Sequence, residues 1–101
     1  MNIVAVTACP TGIAHTYMAA EHLEKKATEL GHGIKVETQG SMGIDNELTA
    51  GDIAVADFVV FAADVMVENR ERFNGKKIIE ISVSQAIKNP AQIFERMATL
   101  P

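Results

Sequence analysis

The chain has 101 residues, of which 48% are apolar and 22% are charged, a composition typical of one globular domain spanning residues 1–101. Its 13 acidic and nine basic residues give a net charge of -4 with no basic run, which argues against a nucleic-acid-binding surface. The most apolar window, residues 53–65, is short and carries Asp57 and Asp64, so we predict neither a signal peptide nor a membrane span and expect a cytoplasmic protein.

The first half of the chain predicts a strand, a helix and a second strand. Residues 3–7 form a run that is apolar except for Thr7 and rich in β-branched side chains, typical of a strand buried in a parallel sheet. Residues 14–30 follow a helical period that ends before Gly31, and the predicted apolar stripe consists of Ala20, Leu23, Ala27 and Leu30. The pattern then predicts a strand over 34–38, a glycine-rich loop over 39–43 and a short helix over 49–55.

The second half repeats this alternation. Residues 58–62 are a continuous apolar run that predicts a third strand, and residues 78–82 predict a fourth after the Asn74-Gly75 turn. Helical segments are predicted over 68–73 and after Asn89-Pro90, the latter with an apolar face of Ile93, Phe94 and Met97. We therefore predict a small three-layer α/β domain, a four-stranded parallel sheet flanked by helices, with a phosphate loop after the first strand.

The loop that follows the first strand is the predicted functional site, because ligands bind open parallel sheets beyond the carboxyl ends of their strands. A helix N-terminus offers unpaired N–H groups and partial positive charge, which favour phosphate. Pro10 restricts Cys9 to extended geometry, and Gly12 permits the positive φ that an anion-binding nest needs. The predicted phosphate-binding residues are Pro10, Thr11, Gly12, Ile13, Ala14, His15 and Thr16, with Thr11 and Thr16 adding hydroxyl donors.

Cys9 is the predicted nucleophile of this loop, since the field of a helix N-terminus favours a thiolate. A lone cysteine is more often a small buried apolar side chain, but its place between a buried strand and a Pro-Thr-Gly turn favours chemistry here. The spacing excludes a nucleotide P-loop, a dinucleotide fingerprint and a disulfide oxidoreductase. We predict neither a metal nor a cofactor.

The remaining alternative is a cysteine-dependent low-molecular-weight phosphatase, in which an arginine follows the cysteine across the phosphate loop. That position holds His15 in this chain. A guanidinium binds phosphate through two parallel hydrogen bonds and stabilises the transition state, so its absence weakens the case for hydrolysis and favours a phosphoryl carrier.

The residues from Cys9 to Thr16, Cys-Pro-Thr-Gly-Ile-Ala-His-Thr, resemble the phosphocysteine loop of the IIB domains of the fructose family of the bacterial phosphoenolpyruvate-dependent sugar phosphotransferase system. Weaker matches continue at Glu37-Thr38-Gln39-Gly40, Ala56-Asp57, Ala62-Ala63-Asp64 and Arg72-Phe73. The resemblance implies that Cys9 accepts a phosphoryl group from a histidine of a IIA domain and passes it to fructose or a related sugar at the membrane IIC domain. It also implies a four-stranded parallel sheet flanked by helices.

Other polar residues have more than one interpretation. His15 is interpreted as a helper in phosphate binding rather than a second carrier. Asp64 would favour the phosphatase if it were a general acid, but an N-cap for the segment that follows it is the preferred interpretation. Gln39 and Ser41 lie on a neighbouring loop that could touch the site. His22 and His32 are assigned to the helix surface and a turn.

Met18 lies almost opposite the apolar stripe of its helix and is predicted to be exposed beside Cys9. With Ile13, Met42 and Met66 it could form an apolar ring around the sulfur that docks partner domains and excludes water. Ile13 and Met18 are the predicted partner contacts. The alternative is that these side chains fold back over the ends of the core.

Overall fold

The structure, a computed structural model, describes residues 1–9, 13–40 and 43–99, without the side chains of 13, 14, 98 and 99. Its strands are β1 (Asn2–Ala8), β2 (Gly33–Gly40), β3 (Gly43–Asp45), β4 (Phe58–Ala63) and β5 (Ile78–Ile81). Its helices are α1 (Ile13–Glu29), α2 (Ala50–Ala54), α3 (Val83–Lys88) and α4 (Pro90–Thr99), with a 3-10 helix at Arg70–Phe73. Among the described residues, no helix is both long and apolar enough to cross a membrane.

The strands form one sheet in the order β3-β2-β1-β4-β5. β1 pairs in parallel with β2 and β4, and β4 pairs in parallel with β5, which confirms the predicted parallel sheet and its α/β class. The sheet has one more strand than predicted, because β3 runs antiparallel to β2 from Gly43 to Asp45. The bounds of the loop predicted over 39–43 are therefore wrong at both ends, since β2 continues to Gly40 and β3 begins at Gly43. A strand of 3 residues is too short to show an alternating pattern, so only its pairing with β2 defines it.

The two faces of the sheet carry separate apolar clusters. Ile3, Ala5 and Cys9 belong to the cluster that contains residues of α1, α3 and α4. Val4 and Val6 belong to the cluster on the opposite face, together with Ile53 of α2 and Phe73 of the 3-10 helix. Successive side chains of a strand point to opposite faces, so the alternation that buries β1 also directs the Cys9 side chain toward α1.

Helix α1 follows the predicted stripe except at its end. Leu23 and Ala27 are 0% exposed and Ala20 is buried, as predicted, but Leu30 is 48% exposed, so its assignment to the core is wrong. α1 ends at Glu29 and Gly31 adopts a φ of +80°, so the chain leaves the helix at Leu30, whose side chain stays at the surface. The prediction that Gly31 ends the helix is confirmed.

Hydrogen bonds of capping residues explain where two helices begin, α2, which was predicted, and α3, which was not. Thr49 and Asp52 form a capping box at the start of the predicted helix α2. Hydrogen bonds from Lys35, at 2.6 Å, and from Thr49 lower the pKa of the Asp52 carboxyl to about 2. Ser82 and Gln85 form a second capping box that starts α3, which we did not predict.

The remaining helical predictions agree with the structure in part. The segment over 68–73 is a 3-10 helix of 4 residues rather than a longer helix. Helix α4 begins at Pro90 as predicted, and its predicted apolar face is buried, with Ile93, Phe94 and Met97 at 2%, 5% and 2% exposure. Capping therefore begins α2 and α3, and burial in the cluster shared with α1 and α3 holds α4 in place.

The contrast between Leu23 and Leu30 can be tested by truncation. Leu23→Ala removes a fully buried side chain and is expected to lower the free energy of unfolding by about 3 kcal/mol. Leu30→Ala is the matched control and is expected to change it by less than about 0.5 kcal/mol. Urea denaturation of the two variants measures the difference, and equal losses would contradict the observed end of α1.

Candidate functional site

Cys9 lies at the point where the strand order reverses. It directly follows β1, whose neighbours are β2 on one side and β4 on the other, with Ala8 opposite Gln39 and Ala63. The Asp64 amide also donates a hydrogen bond of 2.9 Å to the Ala8 carbonyl. In open α/β sheets the crevice at such a reversal is the usual ligand site. The topology therefore places Cys9 where the sequence predicted the site.

The side chain of His15, in the first turn of α1, lies close to the sulfur of Cys9. Its Nδ1 lies 4.0 Å from Sγ of Cys9, and the ring is exposed whereas Cys9 is 4% exposed. Helical side chains lean toward the N-terminus of their helix, which carries the imidazole back over the end of β1. An imidazole in this place can donate a hydrogen bond to an oxygen of a group carried on the sulfur.

A buried hydrogen bond fixes the start of α1 against the end of β1. The Thr7 hydroxyl donates to the Thr16 carbonyl at 3.1 Å, and Thr7 and Thr16 are 0% and 1% exposed. This bond sets the separation of Cys9 and His15, because each is covalently close to one partner. Sequence analysis missed Thr7, although a polar residue at the end of an apolar strand was its signal.

Part of the predicted phosphate loop lies outside the described residues. The loop residues outside the described ranges are Pro10, Thr11 and Gly12. Ser41 and Met42 of the neighbouring loop also lie outside them. Ile13 and Ala14 contribute the first backbone groups of α1, and their side chains are not described. The phosphate-binding role of residues 10–16 and the place of Met42 in an apolar ring stay predictions.

Two clefts flank Cys9. The first, here called the β2 cleft, is lined by residues that include Cys9, Gln39, Val65, Met66 and Glu68. The second, the α3 cleft, is lined by residues that include Cys9, His15, Met18, Asp64, Val83 and Ile87. Met18 is 44% exposed, as predicted, and Met66 is 84% exposed. The buried sulfur is thus approached from both sides past an exposed methionine.

Asp64 differs from its predicted capping role. Its Oδ1 accepts a hydrogen bond of 3.2 Å from the Val83 amide, so it binds the first residue of α3 rather than the segment that follows it in sequence. The predicted N-cap for the following segment is therefore wrong, because Asp64 binds the start of a helix from a distant part of the chain, whose N-cap is Ser82. Its carboxylate lies on the wall of the α3 cleft.

Glu37 is the centre of a buried polar network beside the β2 cleft. It is 0% exposed, and its two carboxylate oxygens each accept a bond of 3.0 Å from the guanidinium of Arg72. The Leu48 amide donates to it at 2.9 Å and the Gln39 side chain at 2.7 Å. In the sequence, Glu37 and Gln39 belong to one weak family match and Arg72 to another, and Leu48 was not singled out. The contacts of Glu37 with Arg72 and Leu48 could not be inferred, because no local pattern links these residues.

The charge state of Glu37 follows from two opposed effects. Burial alone would raise the pKa of its carboxyl, but the hydrogen bonds from Arg72, Leu48 and Gln39 outweigh it and leave the pKa below its ordinary value. The same bond to Glu37 raises the pKa of Arg72. Glu37 is therefore ionised in the folded protein at neutral pH.

A second polar contact joins α1 to the edge of the sheet. The Tyr17 hydroxyl donates to the carboxylate of Asp45 on β3, and this hydrogen bond is the main reason that the pKa of Tyr17 is raised.

His22 is exposed on α1, and the His32 ring stacks on Phe94 with 5.9 Å between ring centroids, so neither lies at the Cys9 site.

The ionised Glu37 predicts a specific acid response. Folding lowers the pKa of Glu37 below its ordinary value of 4.5. The carboxylate therefore stabilises the fold at a pH above 4.5, and this contribution is lost as the pH falls through the lowered pKa. Denaturation from about pH 6 to about pH 3 should show a shallower fall in unfolding free energy for Glu37→Gln than for the wild type. Glu21→Gln, at an exposed position of α1, is the control and should keep the wild-type slope. A Glu37→Gln slope equal to that of the wild type would contradict the pairing.

Comparison with known proteins assigns the family. Residues 4–96 match the family described as PTS system, Lactose/Cellobiose specific IIB subunit. The chain is 55% identical over 101 residues to the "Fructose-like PTS system EIIBC component" of Escherichia coli strain K12, covering 98% of this chain and 21% of that protein. It is 52% identical over 96 residues to the "PTS system fructose-like EIIB component 2" of the same strain, covering 95% of this chain and 91% of that protein.

A solved structure agrees with these relatives. A domain from the fructose-specific IIABC component of Borrelia burgdorferi superposes with a TM-score of 0.91 at 45% identity, covering 98% of this chain and 94% of that one. Together with the family match over residues 4–96, this similarity confirms the resemblance stated from the residues around Cys9. The chain belongs to the PTS IIB family, and its relatives are of the fructose type.

Proposed function

We propose that the protein is a phosphoryl carrier of a sugar phosphotransferase system, acting on the cytoplasmic side of the membrane. Cys9 accepts a phosphoryl group from a histidine of a IIA domain and passes it to fructose or a related sugar taken up by a IIC domain. The observation that carries the proposal is the position of Cys9 at the strand-order reversal, 4.0 Å from His15 at the start of α1. The names of an EIIBC relative and of a IIABC component support the two partners.

The proposed transfer consists of two displacements at phosphorus. In the first, the Cys9 thiolate attacks the phosphohistidine, the N–P bond breaks, the S–P bond forms and the imidazole leaves with a proton from solvent. In the second, a sugar hydroxyl attacks phosphorus and gives up its proton to solvent, the O–P bond forms, and the S–P bond breaks to return the thiolate. The positive end of the α1 dipole faces the charge that Cys9 carries in both forms.

His15 has a binding role in this proposal rather than a carrier role. Its Nδ1 is close enough to the sulfur for the ring to reach an oxygen of a phosphoryl group bound there. Cys9 is buried between β1 and α1, whereas His15 is exposed on the rim, so the histidine is reached first by an incoming partner. The imidazole then binds the phosphoryl group by a hydrogen bond while the group is transferred to and from Cys9.

The exposed methionines beside Cys9 are proposed to contact the partner domains. Met18 lines the α3 cleft and Met66 lines the β2 cleft, so each stands on one side of the sulfur. Apolar side chains around a buried sulfur can seal it from water when a partner docks, which protects a thiophosphate from hydrolysis. Ile13 keeps its predicted contact role at the start of α1.

The phosphatase alternative receives less support from the site. No arginine is among the described residues that line the two clefts. Arg72 is bound to Glu37 beside the β2 cleft, and Asp64, the candidate general acid, accepts a bond from Val83. A cysteine phosphatase would hydrolyse an aryl phosphate repeatedly with no partner present.

Phosphoryl uptake is the direct test of the carrier. The wild-type chain mixed with a phosphorylated IIA domain is expected to gain the mass of one phosphoryl group, and Cys9→Ala is expected to gain none, because the acceptor sulfur is gone. Intact-mass spectrometry under neutral conditions measures both. A label retained by Cys9→Ala would contradict the assignment, and partner-independent turnover of an aryl phosphate by the wild type would favour the phosphatase.

His15 and His22 offer a matched pair on one helix. His15→Ala should slow phosphoryl uptake by about tenfold or more, the effect of losing one hydrogen bond to a charged group, while the label still arrives on Cys9. His22→Ala, at an exposed position of α1, should leave the rate unchanged. Rapid-quench measurement of uptake compares them. Complete loss of labelling in His15→Ala would instead indicate that His15 is itself a phosphoryl carrier.

A further inference from the structure

One glutamine side chain satisfies both hydrogen-bonding groups of a distant residue's backbone. Oε1 of Gln39 accepts from the Glu68 amide at 2.9 Å, and its Nε2 donates to the Glu68 carbonyl at 3.3 Å. The two residues are 29 positions apart, and Gln39 is 7% exposed. This pairing, here called the Gln39 clamp, joins β2 to the segment 64–68 that follows β4. The side-chain amide of Gln39 forms the two hydrogen bonds that the backbone of a neighbouring strand would otherwise form with Glu68.

The orientation of the Gln39 amide is set by its neighbours. Its Nε2 also donates to the Glu37 carboxylate at 2.7 Å, and a carboxylate can only accept, so the nitrogen must face Glu37 and the oxygen must face the Glu68 amide. Arg72 holds Glu37 through two bonds of 3.0 Å. The buried ion pair therefore fixes which end of Gln39 is donor and which is acceptor.

The clamp holds one wall of the cleft beside Cys9. Segment 64–68 begins at Asp64, whose amide bonds the Ala8 carbonyl, and ends at Glu68, which Gln39 binds. Between these anchors lie Val65 and Met66, which line the β2 cleft with Cys9 and are 43% and 84% exposed. Val67 of the same segment is buried at 4% exposure, and Arg72 also donates to the Glu68 carbonyl at 3.4 Å, so the clamp acts together with these contacts. The Glu68 amide is the group that Gln39 holds directly, next to the exposed Val65 and Met66.

We propose that Gln39 is a positioning residue for phosphoryl transfer, which acts by clamping Glu68 and so holding Val65 and Met66 beside Cys9 for the incoming partner. This inference rests on the proposed function, because the surface matters only if a partner docks over Cys9. Loss of the clamp leaves the sulfur and His15 in place, as both belong to the opposite side of β1 and to α1. The cost should fall on partner recognition rather than on the transfer step.

The test compares Gln39→Met with Gln85→Met. Methionine keeps the length of the side chain and removes its hydrogen bonds. Gln85 also accepts from a backbone amide, that of Ser82 at 3.0 Å, but it lies at the start of α3 and lines neither cleft. If Gln39→Met fails to fold, Gln39→Asn replaces it, since the shorter amide stays polar but cannot span the same gap.

Two measurements decide the proposal. In Gln39→Met, hydrogen exchange of the Glu68 amide should accelerate at least about tenfold while the β1 amides keep their protection. The KM for a phosphorylated IIA domain should rise about tenfold, while the single-turnover rate at saturation stays within about threefold of the wild type. Gln85→Met should change neither. A variant that was merely unstable would lose active protein and lower the apparent kcat without raising KM.

The outcomes separate the two proposals. Unchanged Glu68 exchange, or accelerated exchange with a wild-type KM, would overturn the role of Gln39 and leave Cys9 as the carrier. A wild-type chain that takes up no phosphoryl group at all would overturn the proposed function, and the role of Gln39 with it. Accelerated exchange together with the raised KM would establish Gln39 as the residue that positions the β2 cleft wall.

Discussion

The parallel pairing of β1 with strands on both of its sides is the constraint on which the rest of the molecule depends. β1 is bonded to β2 from Asn2 to Ala8 and to β4 from Ile3 to Ala8, so its last residue is fixed from two directions. The backbone of the next residue, Cys9, is positioned by its bond to Ala8. Cys9 therefore leaves the sheet at a defined point, and the alternation along β1 turns its side chain toward α1.

Polar contacts then secure the elements around this point. The Thr7 hydroxyl ties β1 to α1 on one face of the sheet. On the other face, the buried Glu37 carboxylate joins Arg72, Leu48 and Gln39. Burying a charge is costly unless it is fully paired, and one of the described partners of Glu37, Gln39, lines the β2 cleft. The network is thus both a structural centre and a support for the site.

The burial around Cys9 suits the proposed carrier. Its sulfur is 4% exposed, whereas Met18 and Met66 on its two sides are 44% and 84% exposed. A group held on this sulfur is shielded within the protein yet bordered by apolar side chains that a docking domain can cover. Transfer between two partners needs this combination, because the group must be handed over without being lost to water.

The amino-acid sequence by itself determined β1, α1, the end of α1 at Gly31 and the placement of Cys9 at their junction. Each of these follows from a local period or from covalent adjacency, and together they predicted a parallel α/β domain with its site after the first strand. The capping box at Ser82 was a local signal for α3 that went unused. The exposure of Leu30 was also missed, because a helical stripe does not show where the last turn meets the core.

Only the tertiary structure decided the edge strand β3, the contact of Asp64 with Val83 and the network around Glu37. β3 exists through its pairing with β2, and Asp64 and Val83 are 19 positions apart. Glu37 and Arg72 are 35 positions apart, and neither residue shows in its neighbours that it will be buried against the other. Such contacts follow from the packing of the whole chain, which brings together side chains that no local pattern relates.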